Sequence, residues 1–265
     1  MAFGLIIVGD EILSGKRSDK HLPKVIELLA ERGLQLAWAE IVGDDPERIT
    51  ALLARSFAGP DIVFSCGGIG ATPDDHTRQC AARALGVPLA LHPEGRLLVE
   101  ERIRETAREA GQDADLQSPD NLQRLKMAEF PAGSALIPNP YNRIPGFTVA
   151  QHHFVPGFPV MAWPMIAWVL DTHYEHLFHR ERRAERALLV FGQAESTLTP
   201  LMERLEARYP GIKVFSLPSV GDAQTRRHIE LGVKGDAEQV APAFADMRAE
   251  LERMEAEFEA VPERS

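Results

Sequence analysis

The stretch Gly67-Gly68-Ile69-Gly70-Ala71-Thr72-Pro73-Asp74-Asp75-His76-Thr77 follows the apolar run Ile62-Val63-Phe64-Ser65-Cys66 and precedes a helix-like segment. A buried strand that ends in Gly-Gly and turns into a helix confines the chain to few architectures, because glycine alone adopts the backbone angles of such a turn at little cost. The turn also suits an anion. Gly67, Gly68 and Gly70 leave backbone N–H groups open to a phosphate, and the helix start adds its positive dipole end. Thr72 and Thr77 offer hydroxyl donors, although Thr77 can equally bond a backbone carbonyl. Asp74 and Asp75 read as helix caps or as metal ligands. Mg²⁺ or another divalent metal takes one or two carboxylates plus phosphate oxygens, so both roles fit. The pattern is neither a P-loop nor a dinucleotide fingerprint.

Short apolar runs alternate with amphipathic segments on either side of this loop. Phe3 to Val8 reads as a strand. Ser18 or Asp19 then caps a helix with Leu22, Val25, Ile26 and Leu29 on one face, ended by Gly33. Leu34 to Val42 reads as the next strand, Asp45-Pro46 starts a helix with Ile49, Leu52, Leu53 and Phe57 on one face, and Asp61 to Cys66 is a third strand. The order predicts an α/β fold, a mostly parallel sheet with helices on both faces, where ligands bind beyond the carboxyl ends of the strands. Gly9-Asp10, Gly43-Asp44 and Gly67-Gly68 fall at those ends. Asp10 and Asp44 therefore join Asp75 as candidate catalytic acids, with ordinary turn formation as the competing explanation.

Residues 92 to 128 read as helical with a solvated charged face, and a helix bent near Pro164 is expected from about Met161 to His179. After Arg180-Glu181-Arg182-Arg183 the pattern restarts with a strand (Ala187–Phe191), a helix (Glu195–Arg208), two strands (Ile212–Leu217 and His228–Val233) and a long helix (Asp236–Phe258). Two domains are expected, residues 1–179 and a small α+β domain of residues 180–265.

Several loops resemble the MoaB/Mog-type molybdopterin-binding superfamily, in its CinA-like amino-terminal branch. Gly67 to Thr77 is similar to the GGxGxTxDDxT loop, Gly9-Asp10-Glu11-Ile12-Leu13-Ser14-Gly15 to GDELLSG, and Val42-Gly43-Asp44-Asp45 to VGDD. Pro138-Asn139-Pro140, Pro145-Gly146-Phe147 and Pro156-Gly157-Phe158-Pro159 resemble the NPxGTAPGF and LPGVP loops. The resemblance spans roughly residues 1 to 175. It implies that Gly9, Ser14, Asp19, Asn139, Gly146 and Gly157 join the glycine loop around a phosphorylated small molecule, either molybdopterin or an ADP-ribose-like nucleotide.

In the CinA-like branch it implies metal-dependent cleavage of a pyrophosphate bond, which an acid at Asp74 favours. Pterin binding or adenylylation, and a ligand-binding module without catalysis, are the alternatives. Four departures stand out. His21 replaces an amide beside Lys20, Ala71 replaces proline, Asn142-Arg143 replaces Gly-Thr, and Met161 replaces a glutamate. Arg143 is thereby a candidate anion clamp. Gly192-Gln193-Ala194-Glu195-Ser196 is similar to the turn opening that branch's KH-like domain, and the deamidase domain that follows it there is expected to be absent.

Composition excludes some alternatives. With 45% hydrophobic residues among 265, the chain can bury a full core. A net charge of -10 repels polyanions, and Gly221-Asp222-Ala223-Gln224 is no GXXG clamp, so no nucleic-acid partner is expected. Cys66 and Cys80 are too few for a disulfide framework. No basic region precedes Phe3–Val8 and no membrane span is evident, which predicts a cytoplasmic protein. His173, His176 and His179 suit a helix carboxyl end better than a metal. The last helix carries Ala241, Phe244, Ala245, Met247, Leu251, Met254 and Phe258 as a wide apolar face, from which a homo-oligomer is expected.

Overall fold

Leu5 and Ile7 face one side of the first strand and Ile6 and Val8 the other, and all four are buried, which requires cover on both faces. The computed structural model describes residues 2–180, 183–221 and 225–261, and the chain divides into two compact units, Met1–Phe178 and His179–Ser265. Glu181, Arg182 and Asp222–Gln224 lie outside the described residues.

The first unit runs β1 (Phe3–Val8), α1 (Asp10–Leu13), α2 (His21–Ala30), β2 (Leu36–Val42), α3 (Pro46–Phe57), β3 (Ile62–Cys66), α4 (Thr77–Leu85) and β4 (Leu89–Leu91). It continues through α5 (Pro93–Glu109), α6 (Pro119–Leu125), β5 (Glu129–Pro131), β6 (Ala135–Ile137), β7 (Gly146–Val149), β8 (His152–Val155) and α7 (Pro159–His173). Its main sheet has the order β2-β1-β3-β8-β7-β6. β2, β1, β3 and β8 are parallel, and β7 and β6 add antiparallel pairings at one edge. β4 and β5 pair separately.

Helices α2 and α7 cover the face carrying Leu5, Ile7 and Phe64, whereas α3 and α4 cover Ile6, Val8 and Val63. On the second face Phe147 stacks between Phe130 and Phe154, with ring centroids 4.9 and 4.4 Å away. Helix starts follow their capping chemistry. Asp45 accepts from the N–H of Arg48 at 2.8 Å with Pro46 as the first helical residue.

Adjacent residues of β8 point to opposite faces, and both are buried histidines. His152 Nε2 lies 2.7 Å from Ser56 Oγ, while His153 bridges Thr148 Oγ1 and Tyr174 Oη at 2.8 Å each. Burial lowers His152 to about 4 and His153 to about 3, the latter helped by His173 and His152. Both folded values lie below the ordinary value near 6.5, so the unfolded chain takes up protons first as the pH falls. Stability is therefore expected to be level above about pH 6.5 and to fall below it, by up to about 1.4 kcal/mol per pH unit per histidine until each folded value is reached. Urea unfolding between pH 7.5 and 4.5 checks this, and the slope should shrink in His153→Asn.

The second unit comprises β9 (Arg183–Phe191), α8 (Glu195–Arg208), β10 (Ile212–Ser219), β11 (His228–Asp236), α9 (Ala237–Arg253) and β12 (Glu257–Ala260), with the antiparallel sheet order β10-β11-β9-β12. Here the sequence expectation needs correction. The last helix stops at Arg253, Glu255 takes a left-handed φ of 54°, and Phe258 lies in β12 against β9. Ala243, Met247 and Leu251 are buried in the unit's own core, Phe244, Met254 and Phe258 pack against it, and Ala241 and Ala245 are exposed. The apolar face is thus largely covered within its own unit and no longer argues for an oligomer.

Candidate functional site

Strands that run in parallel end on one edge, and the loops after β1, β2, β3 and β8 meet there around a cleft of 390 Å³. Of the sequence-predicted residues, Gly9, Asp44, Gly67, Gly68, Gly70, Thr72, Asp74, Asp75 and Gly157 line it. A larger groove of 630 Å³ lies between α8 and α9. Its Arg204, Arg208 and Arg253 are each paired with Glu250 or Asp246, and it holds no glycine loop or candidate acid, so the cleft at the sheet edge is the better site.

The glycine loop is shaped by close approach. A Cβ on Gly67 would sit 2.3 Å from the Val8 carbonyl oxygen, and Gly67 N–H bonds Val155 O at 3.0 Å, tying the loop to β1 and β8. Beyond it, the N–H groups of Gly68, Ile69, Gly70 and Ala71 donate to no acceptor among the described residues. Four consecutive unpaired donors lining a cleft form a concavity for an anion.

The expected hydroxyl donors are used inside the loop. Thr77, fully buried, donates through Oγ1 to Gly67 O at 3.1 Å, and its N–H bonds Gly68 O at 2.9 Å. Thr72 donates through both N–H (2.8 Å) and Oγ1 (2.5 Å) to Asp75 Oδ2, closing the 72–75 turn. Each hydroxyl thus spends its one proton inside the loop and has none to donate to a phosphate. Asp75 accordingly acts as the staple of the loop through that oxygen.

Asp10 and Asp44 clamp two loops to each other. Asp10 N–H donates to Asp44 Oδ2 at 2.8 Å and Asp44 N–H to Asp10 Oδ1 at 3.2 Å. Burial pushes the Asp44 carboxyl above the usual carboxylate range, and the charges of Asp10, Glu11 and Asp74 act in the same direction, against the hydrogen bond from Asp10. Glu11 and Asp44 after the first two strands and Asp74 and Asp75 of the glycine loop make the cleft lining acidic. Among the described residues no three His, Cys, Asp or Glu side chains are grouped to hold a metal by themselves. Asp44 and Asp74 both line the cleft, and the charge of Asp74 reaches the Asp44 carboxyl.

Several expected ligand residues lie outside the cleft. Asp19 caps α2 by accepting from the N–H groups of His21 (2.8 Å) and Leu22 (2.9 Å), and Ser14 bonds Glu11 O at 3.4 Å. Asn139 is buried and organises its own loop by donating to Asn142 Oδ1 and Ile144 O. Gly146 is required by packing, since a Cβ there would meet Phe154 O at 2.3 Å. Arg143 is not an anion clamp, because its guanidinium is held by Glu101 and Glu105 of α5 at 2.8 and 3.0 Å.

Conversely, the cleft contains residues that sequence reasoning did not assign to it. His21, only 5% exposed, donates from Nε2 to Gly157 O at 3.1 Å, and its buried Nδ1 has no hydrogen-bond partner among the described residues. Arg17 contributes a cation to the lining. Arg78, 2% exposed, holds the loop from behind through Gly70 O (2.6 Å) and the carbonyls of Lys126 and Glu129.

Comparisons with known proteins agree with this geometry. Residues 4–176 match the family model of the probable molybdopterin binding domain. A CinA-like protein of Anaeromyxobacter sp. (strain Fw109-5) is 30% identical over 269 residues, covering 93% of this chain and 62% of the relative. One from Mycobacterium tuberculosis (strain ATCC 25177 / H37Ra) is 30% identical over 239 residues, covering 86% and 54%. The chain spans only part of such relatives, down to 38% for a CinA-like protein of Anaeromyxobacter dehalogenans. Among solved structures, the protein CinA of unknown function from Thermoplasma acidophilum is similar with a TM-score of 0.54 and 25% identity, covering 64% of this chain and 98% of that one. No helix among the described residues is long and apolar enough to cross a membrane. The chain therefore belongs to the family of probable molybdopterin-binding domains and is similar to CinA-like proteins.

Proposed function

We propose that the first unit binds the phosphate groups of a nucleotide and hydrolyses the pyrophosphate bond of an ADP-ribose-like molecule with a divalent metal. The observation that carries this reading is the row of N–H groups from Gly68 to Ala71, without an acceptor among the described residues, in a cleft also lined by Glu11, Asp44 and Asp74. The loop would hold one phosphate by its backbone. Asp44 and Asp74 would hold the metal, whose contribution is to neutralise phosphate charge during attack by water. Asp44, which lines the cleft and whose carboxyl burial raises, would orient that water and take its proton. The family description supports a second reading, in which the ligand is a pterin phosphate that is bound without being cleaved.

The test incubates the chain with ADP-ribose and Mg²⁺ or Mn²⁺ and follows AMP and ribose 5-phosphate by chromatography. Turnover is expected to stop in excess chelator and to fall about 100-fold or more in Asp44→Asn, which keeps an acceptor for Asp10 N–H but no proton-accepting charge. Full activity in that variant would remove Asp44 from the mechanism. Saturable pterin binding with no turnover of any nucleotide would favour the second reading.

A further inference from the structure

Phe158 is an aromatic side chain with 56% of its surface exposed, yet it lines the cleft and does not sit on an outer face. Among the described residues its ring meets no other aromatic or cationic group. Its backbone is fixed on both sides. The carbonyl of Phe158 accepts from the N–H groups of Met161 (2.9 Å) and Ala162 (2.8 Å), anchoring it to the start of α7. The preceding carbonyl, of Gly157, accepts from His21 Nε2 at 3.1 Å. Gly157 also packs on the glycine loop, since a Cβ there would lie 3.4 Å from Gly67 Cα. An exposed ring on an anchored backbone thus shares the cleft with the glycine loop, whose Gly67 lies against the preceding residue.

We propose that Phe158 is the stacking platform for a planar heteroaromatic ring carried by the same molecule whose phosphate the loop binds, and that it sets the preference for such ligands over phosphates lacking a ring. This rests on the phosphate-binding reading above and adds the second half of the ligand. An apolar face left in water gains by covering a flat ring, and stacking tolerates adenine and pterin alike because each offers a π-face. The hydrogen-bonding edges of the two rings are then distinguished by other residues.

The experiment measures dissociation constants of the full chain by calorimetry for ADP-ribose, neopterin monophosphate and ribose 5-phosphate. In Phe158→Ala, affinity for the ring-bearing ligand is expected to fall about tenfold or more, while that for ribose 5-phosphate stays within about twofold. Phe158→Trp should retain affinity, with its added indole fluorescence quenched by the ring-bearing ligand and not by ribose 5-phosphate. The two ring-bearing ligands separate adenine from pterin as the source. Equal losses for all ligands in Phe158→Ala, or native affinity for ADP-ribose and neopterin monophosphate no higher than for ribose 5-phosphate, would overturn the platform and leave the phosphate site standing. No binding of any of the three by the native chain would overturn both.

Discussion

Gly67→Val is expected to lower unfolding free energy by about 4 kcal/mol or more and to abolish ligand binding. Two costs combine at this position. Gly67 has φ +105°, a conformation a β-branched residue scarcely reaches, at about 1–3 kcal/mol. The new Cβ would also sit 2.3 Å from the carbonyl oxygen of Val8, a backbone atom of the central sheet that cannot swing aside as a side chain could. Gly15→Ala separates the two effects, because Gly15 has φ +72° with nothing within 4 Å of the added Cβ. That control should cost only about 1 kcal/mol. Urea unfolding of both variants decides the matter, and a Gly67→Val loss no larger than that of Gly15→Ala would show that close approach is not what this glycine serves.

Much of this edge was legible because it follows from chain order. Alternating strands and helices force the strands parallel, parallel strands share a carboxyl edge, and the Gly-Asp and Gly-Gly pairs sit where those strands end. Capping at Asp45 was equally local. The misread residues have partners far along the chain or partners with no side-chain signature. Arg143 looked like a free cation beside a ligand loop, but Glu101 and Glu105 reach it from 42 and 38 residues away, on a helix that by itself reads as solvated. Met247, Leu251, Met254 and Phe258 keep a helical spacing beyond the true end at Arg253, and only the pairing of β12 with β9 reveals the strand. Thr72 and Thr77 were recognised as donors, yet which acceptor they serve depends on the loop's own closure.

Arg78 illustrates the same blindness most fully, and it carries the second large effect. It lies on α4 next to Gln79 and five residues before Arg83, and no acidic residue of the helix is there to pair with it, so nothing local marks it as interior. Folding brings the segment after α6 against it, and its guanidinium then serves the carbonyls of Gly70, Lys126 and Glu129 from a site 2% exposed. Burial lowers its pKa from the ordinary value, opposed by the charges of Asp75 and Glu129. Arg78→Met keeps much of the volume but leaves three carbonyl oxygens without this donor, and is expected to cost about 3–5 kcal/mol. Arg78→Lys should recover only part of this, because an ammonium lacks the planar fork that spans separated acceptors. Gln123→Ala, which removes one bond to Ala71 O at 2.9 Å from an exposed side chain, should cost about 1 kcal/mol or less. Since Arg78 holds Gly70 in place, phosphate affinity should fall together with stability in Arg78→Met, whereas a purely structural residue would spare the ligand affinity of the molecules that remain folded. Calorimetric titration below the unfolding transition, scaled to the folded fraction, tells these outcomes apart, and native affinity in that fraction would reduce Arg78 to a packing residue.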